Sequence, residues 1–424
     1  MEINIRVFLI LFLLLIGVSN LSAIQVVFDD YQYSFQLLRT MGYSCTGGAD
    51  VGECLSTAYK IEEKNHESWF NRWHHTAERL EAAADSFSLN GHNISAREAY
   101  FRASNYYRTA AFFLSKKPLD ERILTSLRTR RDCFQKAMQF SDFPIEFVHI
   151  PFENTHLPGY LLLADNEQVE RPVLIVHSGF DGTAEELYFE IGKLAVERGY
   201  NCLLFEGPGQ GSVVYEQHIP FRPNWESVVT PVVDYALSLP QVYQEHIALM
   251  GISFGGYFAP RAVAFEDRIQ VCIANGGIYN FYGSMISKFP YGTEKMLDDP
   301  EARKEFDKQM LNIMNDNVEL EFFFSNGMFT FHAQSPSELL LMMKPYNLEG
   351  IAEKITCSML VVDSEQDHDL QGQAKQLFDV LTCDKEYMLF TTEEAAEEHC
   401  QMGAVMISGE RILNWLDDYF MNNN

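Results

Sequence analysis

The sequence predicts an α/β protein: a mostly parallel central sheet with helices on both faces, behind a helical N-terminal domain and carrying a helical insertion. Three observations carry that expectation. Residues 24–142 show apolar residues at helical spacing. From residue 143 to 424, short apolar runs alternate with helical patterns. Between 278 and 350 the alternation stops, and helical and aromatic segments take its place.

The first element is "MEINIRVFLILFLLLIGVSNLSA", with Arg6 ahead of a twelve-residue apolar run from Val7 to Val18 and small residues up to Ala23. That length suits the hydrophobic region of a signal peptide over residues 1–23 better than a membrane span. The expected location is therefore secreted or periplasmic, with an uncleaved N-terminal anchor as the alternative. An oxidising compartment makes a short-loop disulfide between Cys45 and Cys54, which flank "TGGADVGE", as reasonable as two free thiols. Cys202, Cys272 and Cys357 lie in apolar strand-like runs and read as packing residues.

The helical domain over 24–142 follows. "NHESWFNRWHHTAERLEAAADSF" puts Trp69, Trp73, Leu80 and Ala84 on one stripe, and "SAREAYFRASNYYRTAAFFL" does the same with Tyr100, Tyr107, Ala111 and Leu114. Ser95, with Glu98 three residues on, reads as an N-cap. No copy recurs at a fixed period, so a repeat array is not expected.

Eight apolar runs then read as strands: "IEFVHIPF", "LPGYLLLA", "PVLIVHSG", "NCLLFEGPG", "HIALMGIS", "VCIANGG", "SMLVVDSE" and "EYMLFTTE". The first two, with no helix between them, predict an antiparallel hairpin at one edge. Helical segments fall at 184–198, 226–239, 254–265, 370–382 and 403–421. The insertion 278–350 follows the sixth run. It would sit above the C-terminal edge of the sheet, where open parallel sheets bind ligands, so it reads as a lid.

The formal net charge of −27 excludes nucleic acid as a partner, because such a surface repels phosphate backbones. His74 and His75 have no partners at ligand spacing, and no metal or other cofactor is expected. "EGPGQGS" at 206–212 lacks the Lys-Ser/Thr of a phosphate loop and reads as a tight turn.

The chemistry concentrates in "HIALMGISFGGYFAPRA", residues 246–262. A strand leads into Gly251-Ile252-Ser253-Phe254-Gly255 and a helix leads away. Gly-x-Ser-x-Gly between strand and helix places the serine on a sharp turn, with its oxygen exposed at a helix N-terminus. Such a serine needs a base and a group that orients the base. Asp367, in the loop after "SMLVVD", is the chosen acid, with Asp369 second and Asp363 still within the strand. His399, between the last strand and the last helix, is the chosen base. His368 is the rival, too close in sequence to Asp367 to meet it in plane. Glu393, Glu394, Glu397 and Glu398 are expected to raise the His399 pKa. The backbone N–H groups of Phe254 and Phe180 are the expected oxyanion donors, with Gly179 making room. Glu185 and Glu186 read as acidic residues of a helix's first turn.

"GGADVGECLSTAYKI", "FDGTAEELYFEIG", "FEGPGQG", "NWESVVTPVVDYAL", "IALMGISFGGYFAPRA" and "EEHCQMGA" together resemble the α/β-hydrolase family that contains dihydroxypseudooxynicotine hydrolase and the fungal polyketide-shortening hydrolases. The likeness runs from about residue 30 to the C-terminus. It implies an α/β-hydrolase fold, a helical cap over the catalytic domain, and a Ser-Asp-His triad falling on Ser253, Asp367 and His399. It also implies acyl chemistry on an ester, an amide or a carbon–carbon bond beside a ketone. The expected function is a serine hydrolase of small apolar or aromatic substrates. The alternatives are a non-catalytic binding module on the same fold, or an acyltransferase using the same residues. A second copy of the chain, forming a homodimer, is the remaining expected partner.

Overall fold

The computed structural model describes residues 25–422 apart from position 168. The expected signal segment, 1–23, lies outside the described residues.

All eight apolar runs form strands: β1 (Ile145–Phe152), β2 (Thr155–Leu162), β3 (Arg171–His177), β4 (Asn201–Phe205), β5 (Val242–Ile252), β6 (Val271–Asn275), β7 (Ser358–Ser364) and β8 (Lys385–Phe390). They build one sheet in the order β1-β2-β4-β3-β5-β6-β7-β8. β1 and β2 pair antiparallel at the edge, β2 pairs antiparallel with β4, and the remaining pairs are parallel. The central strands are apolar on both sides because both faces are covered. Leu174 and Val176 of β3 enter one core, and their neighbours Val173 and Ile175 enter the other.

Among the described residues five α-helices precede the sheet: α1 (Tyr31–Gly42), α2 (Val51–Ala58), α3 (His66–Leu89), α4 (Asn93–Ala111) and α5 (Glu121–Met138). Trp69, Trp73, Tyr33 and Tyr106 are fully buried among them. Each large apolar side chain so buried is worth about 1.5–3 kcal/mol. The apolar cluster is continuous from these helices through Leu187 and Ile191 to the sheet, so cap and sheet share one core.

One local expectation is corrected and one open alternative is resolved. Ser95 is not an N-cap: α4 begins at Asn93 after His92, two residues earlier. Gly91, at φ +76°, closes the turn from α3, and the His92 carbonyl already accepts the first helical bond from Ala96. Cys45 and Cys54 are not bonded to each other. The Cys45 thiol is exposed and donates to the Gly42 carbonyl, whereas Cys54 is buried in α2 with its thiol on the Tyr106 hydroxyl.

The segment between β6 and β7 folds as helices, Phe281–Ser287, Thr293–Asp298, Pro300–Ile313, Val318–Phe331 and Pro336–Met342. Pro300 sits at the first helical position, where its missing N–H costs nothing, and so separates two helices that read as one in the sequence. The aromatic stretch Phe322–Phe324 lies on the helix Val318–Phe331.

Candidate active site

β5 ends at Ile252 and a helix begins at Gly255, which leaves Ser253 at the corner. Ser253 takes φ +62°, a left-handed conformation that costs a residue with a Cβ and persists only where the surroundings impose it. Its N–H donates to the Asn275 carbonyl at 2.9 Å, and its carbonyl accepts from Gly256 N–H at 2.7 Å. Gly251 is required for this tightness, since a Cβ there would stand 2.1 Å from the Gly255 oxygen.

His399 comes in from a short turn between β8 and the last helix, where Cys400 takes φ +52°. Its Nε2 lies 2.9 Å from Ser253 Oγ, and its Nδ1 lies 2.7 Å from Asp367 Oδ2. With the proton on Nδ1, the imidazole donates to Asp367 and accepts from Ser253. The other oxygen of Asp367 accepts the N–H groups of Asp369 at 3.0 Å and Leu370 at 2.9 Å. These two bonds occupy the loop after β7, and the following helix begins only at Gln373.

The alternative residues lie nearby but are engaged elsewhere. Asp363 remains in β7 and accepts from the Tyr387 hydroxyl at 2.5 Å. Asp369 pairs with Lys288 at 3.4 Å, and His368 faces Glu319 at 3.4 Å. Glu319, His368 and Asp369 bring ligand-type atoms within 4.8 Å of one another, and Lys288 already supplies positive charge there.

Burial alone would lower the His399 pKa. The Asp367 carboxylate reverses that effect, and Cys400 adds to it, so the imidazole is held well above its ordinary value. The expected source of this shift was the run of glutamates. Glu394 instead closes its own capping turn and pairs with Arg411, so the charge that matters is the one in hydrogen-bond contact.

Gly179 follows β3 and packs against the corner. A Cβ there would lie 2.4 Å from the Phe254 nitrogen. The loop 178–180 therefore runs close beside the helix N-terminus. Among the described residues, neither the Phe180 nor the Phe254 N–H has a hydrogen-bond acceptor. The Phe180 carbonyl accepts from Asn326 at 3.1 Å, which ties this loop to the insertion.

Ser253 and His399 open into a cavity of about 580 Å³. Phe281, Met285, Phe322 and Phe323 of the insertion line one side, and Gln32, Phe35, Gln36 and Arg39 of α1 line another. The α1 residues had not been singled out in the sequence, although their spacing of three and four puts them on one helical face. Arg39 is buried and pairs with Asp181 at 3.0 Å and with Glu186 at 3.0 Å. Arg108 of α4 reaches Glu186 as well, at 3.0 Å, and Arg130 of α5 reaches Glu185 at 3.3 Å. Glu185 and Glu186 thus anchor the cap.

Residues 193–423, more than half of the chain, match the model of the prolyl oligopeptidase family. The chain belongs to that family. Its similarity to full-length hydrolases is as extensive. It is 30% identical over 410 residues to 20-hydroxy-prefusarin hydrolase FUS2 of Gibberella moniliformis, covering 93% of this chain and 98% of the relative. It is also 30% identical over 410 residues to hydrolase LUC6 of a Fusarium species, with the same coverage. Among solved structures, 2,6-dihydroxy-pseudo-oxynicotine hydrolase superposes with a TM-score of 0.69 at 19% identity, over 89% of this chain and 95% of that one. The likeness extends beyond the prolyl oligopeptidase match into the N-terminal helices. The protein is an α/β-hydrolase-fold enzyme of the serine type.

Proposed function

We propose that the enzyme hydrolyses a small apolar or aromatic carbonyl compound through an acyl-enzyme on Ser253. Ser253 Oγ attacks the carbonyl carbon while His399 Nε2 takes its proton, and Asp367 holds the imidazole in plane and balances the imidazolium. The oxygen that becomes negative meets the N–H groups of Phe180 and Phe254. His399 then returns the proton to the leaving alcohol, amine or carbanion. Water repeats the sequence to release the acid. The bond is an ester, an amide, or a carbon–carbon bond beside a ketone, since all three give the same acyl group on serine.

The observation that carries this reading is the unbroken chain Ser253–His399–Asp367, at 2.9 and 2.7 Å, opening into a cavity lined by the cap and the insertion. A volume of about 580 Å³ fits a drug-sized molecule, within the roughly 300–1,000 Å³ usual for such sites. Helices of the cap and of the insertion line this cavity, and its size supports a small substrate over a polypeptide. A panel of aryl esters, anilides and β-diketones, assayed on wild type and Ser253→Ala, tests the reading. The variant is expected to fold normally and to lose at least about a thousandfold in kcat. Fluorophosphonate should label wild type at Ser253 only. Retained turnover in the variant would overturn the mechanism, and failure of folded wild type to label would favour a binding role.

A further inference from the structure

The cavity lining is mixed: Phe281, Phe289, Phe322 and Phe323 present aromatic surface, whereas Gln32, Gln36 and Glu190 present polar groups. Glu190 sits in a single π-helical turn, Tyr188–Gly192, between two short α-helical pieces. Such turns are rare and displace a side chain from the ordinary helical register. Here the displaced carboxyl lines the cavity. The Tyr43 hydroxyl donates to its Oε1 at 3.0 Å, and among the described residues no donor reaches its Oε2.

Charge around Glu190 is close to balanced without it. Arg39 of α1 turns its guanidinium to Asp181 and Glu186, and Arg108 of α4 turns to Glu186. Two buried cations thus face two buried or half-buried carboxylates, and Glu190 is the third acid. The other titratable groups against it are Tyr43, just after α1, and Cys400, on the turn that carries His399. Neither supplies positive charge. Burial, reinforced by Glu186, pushes the Glu190 carboxyl up to about 7 against the pull of Arg39.

We infer that Glu190 serves as a neutral carboxylic acid whose O–H, on Oε2, donates a hydrogen bond to a second oxygen of the substrate, other than the carbonyl that Ser253 attacks. The cavity then selects molecules with an aromatic or apolar end and a second carbonyl or ether oxygen. This inference rests on the cavity being the substrate site, but not on the chemistry at Ser253. A hydroxyl donor rewards an acceptor oxygen and leaves a plain hydrocarbon unrewarded, so Glu190 is a specificity residue.

Calorimetric titration of Ser253→Ala protein with 4-phenylbutan-2-one, an aryl ketone that does not ionise, tests the inference. The titration is run at pH 5.5 and 8.5 with Glu, Gln or Leu at position 190, and butylbenzene is the control without oxygen. At pH 5.5 the ketone should bind the Glu and Gln forms alike and Glu190→Leu about tenfold more weakly, the scale of one hydrogen bond. At pH 8.5 the Glu form should weaken towards the Leu form, because a carboxylate only accepts. Glu190→Gln, which keeps both the Tyr43 contact and a donor, should hold its affinity. Butylbenzene should bind all three alike. Equal ketone affinity in the Leu form, or the same pH response in the Glu and Gln forms, would overturn the inference. Fluorophosphonate labelling of Ser253 is independent of residue 190, so either idea can fail while the other stands.

Discussion

The two walls of the cavity hold their polar groups by different means. On the strand-end wall, backbone geometry does the work. Three N–H donors converge on Asp367, from Asp369, Leu370 and His399, within 3.0 Å. Ser253 is fixed by backbone bonds to Asn275 and Gly256. On the cap wall, side chains do the work: Arg39 and Arg108 cross from α1 and α4 to Asp181 and Glu186. A wall made of backbone bonds is rigid and tolerates strain such as the φ of +62° at Ser253. A wall made of buried ionic side chains depends on every charge keeping its partner. The contrast sharpens the proposed function: on that proposal the first wall carries the reaction and the second the choice of substrate.

The sharpest way to break this division is on the strand-end wall. Asp367→Asn preserves shape but removes the charge that the His399 imidazolium needs. We expect kcat to fall about ten-thousandfold, with little change in KM. The pH profile should move with it. His399 must be neutral to accept the serine proton, and its pKa is raised, so the acid limb of wild-type kcat/KM lies above the ordinary histidine range. Without the Asp367 charge, burial lowers the pKa, and the limb should shift to lower pH. An unshifted limb would mean that another group titrates. Next in size is Gly179→Ala. The added methyl meets the Phe254 nitrogen at 2.4 Å and the Ile252 oxygen at 2.9 Å, so the N–H groups of Phe180 and Phe254, the proposed oxyanion donors, must part. A loss of about a hundred- to a thousandfold in kcat on an aryl ester is expected, the usual cost of one such donor. A loss in KM alone would place the oxyanion elsewhere.

The strand-end wall was also the legible one. Strand residues recur in short apolar runs, and the elbow around Ser253 carries its glycines at fixed spacing, so β1–β8 and the serine corner could be read directly. Asp367 and His399 followed from their positions after strands. The cap wall was not legible in the same way. Arg39, Glu185 and Glu186 belong to elements far apart in sequence, and nothing local marks an arginine as buried. Glu190 depends on a π turn, which a regular helical period hides. The Ser95 misreading has the same root: a plausible capping box lost to a turn at Asn90–Gly91 that starts the helix earlier. The pairing open between Cys45 and Cys54 required knowing which way two thiols point, and sequence spacing carries no such information.

The cap wall gives the smaller effect on turnover and the clearer one on stability. Arg39→Met fits an apolar stem into the same space but leaves Asp181 without its partner and Glu186 with Arg108 alone. Removing one partner of a buried ion pair costs about 3–5 kcal/mol, because the remaining charge stays desolvated. Asp181 is half-buried, so the lower end of that range is expected from urea unfolding. The loss should be local before it is global: amides of α1 and of residues 181–187 should exchange faster, while those of β3 to β7 hold their protection. Turnover should fall less than in Asp367→Asn or Gly179→Ala, since Phe180 is tied to the insertion by Asn326 as well. The decisive variant is the double change Arg39→Met with Asp181→Asn. It removes the orphaned charge and keeps the Glu186–Arg108 pair, so it should recover part of the stability lost in the single variant. No recovery would mean that the orphaned Asp181 charge is not the source of the loss, and no loss in Arg39→Met itself would mean that the cap is held by its apolar core alone.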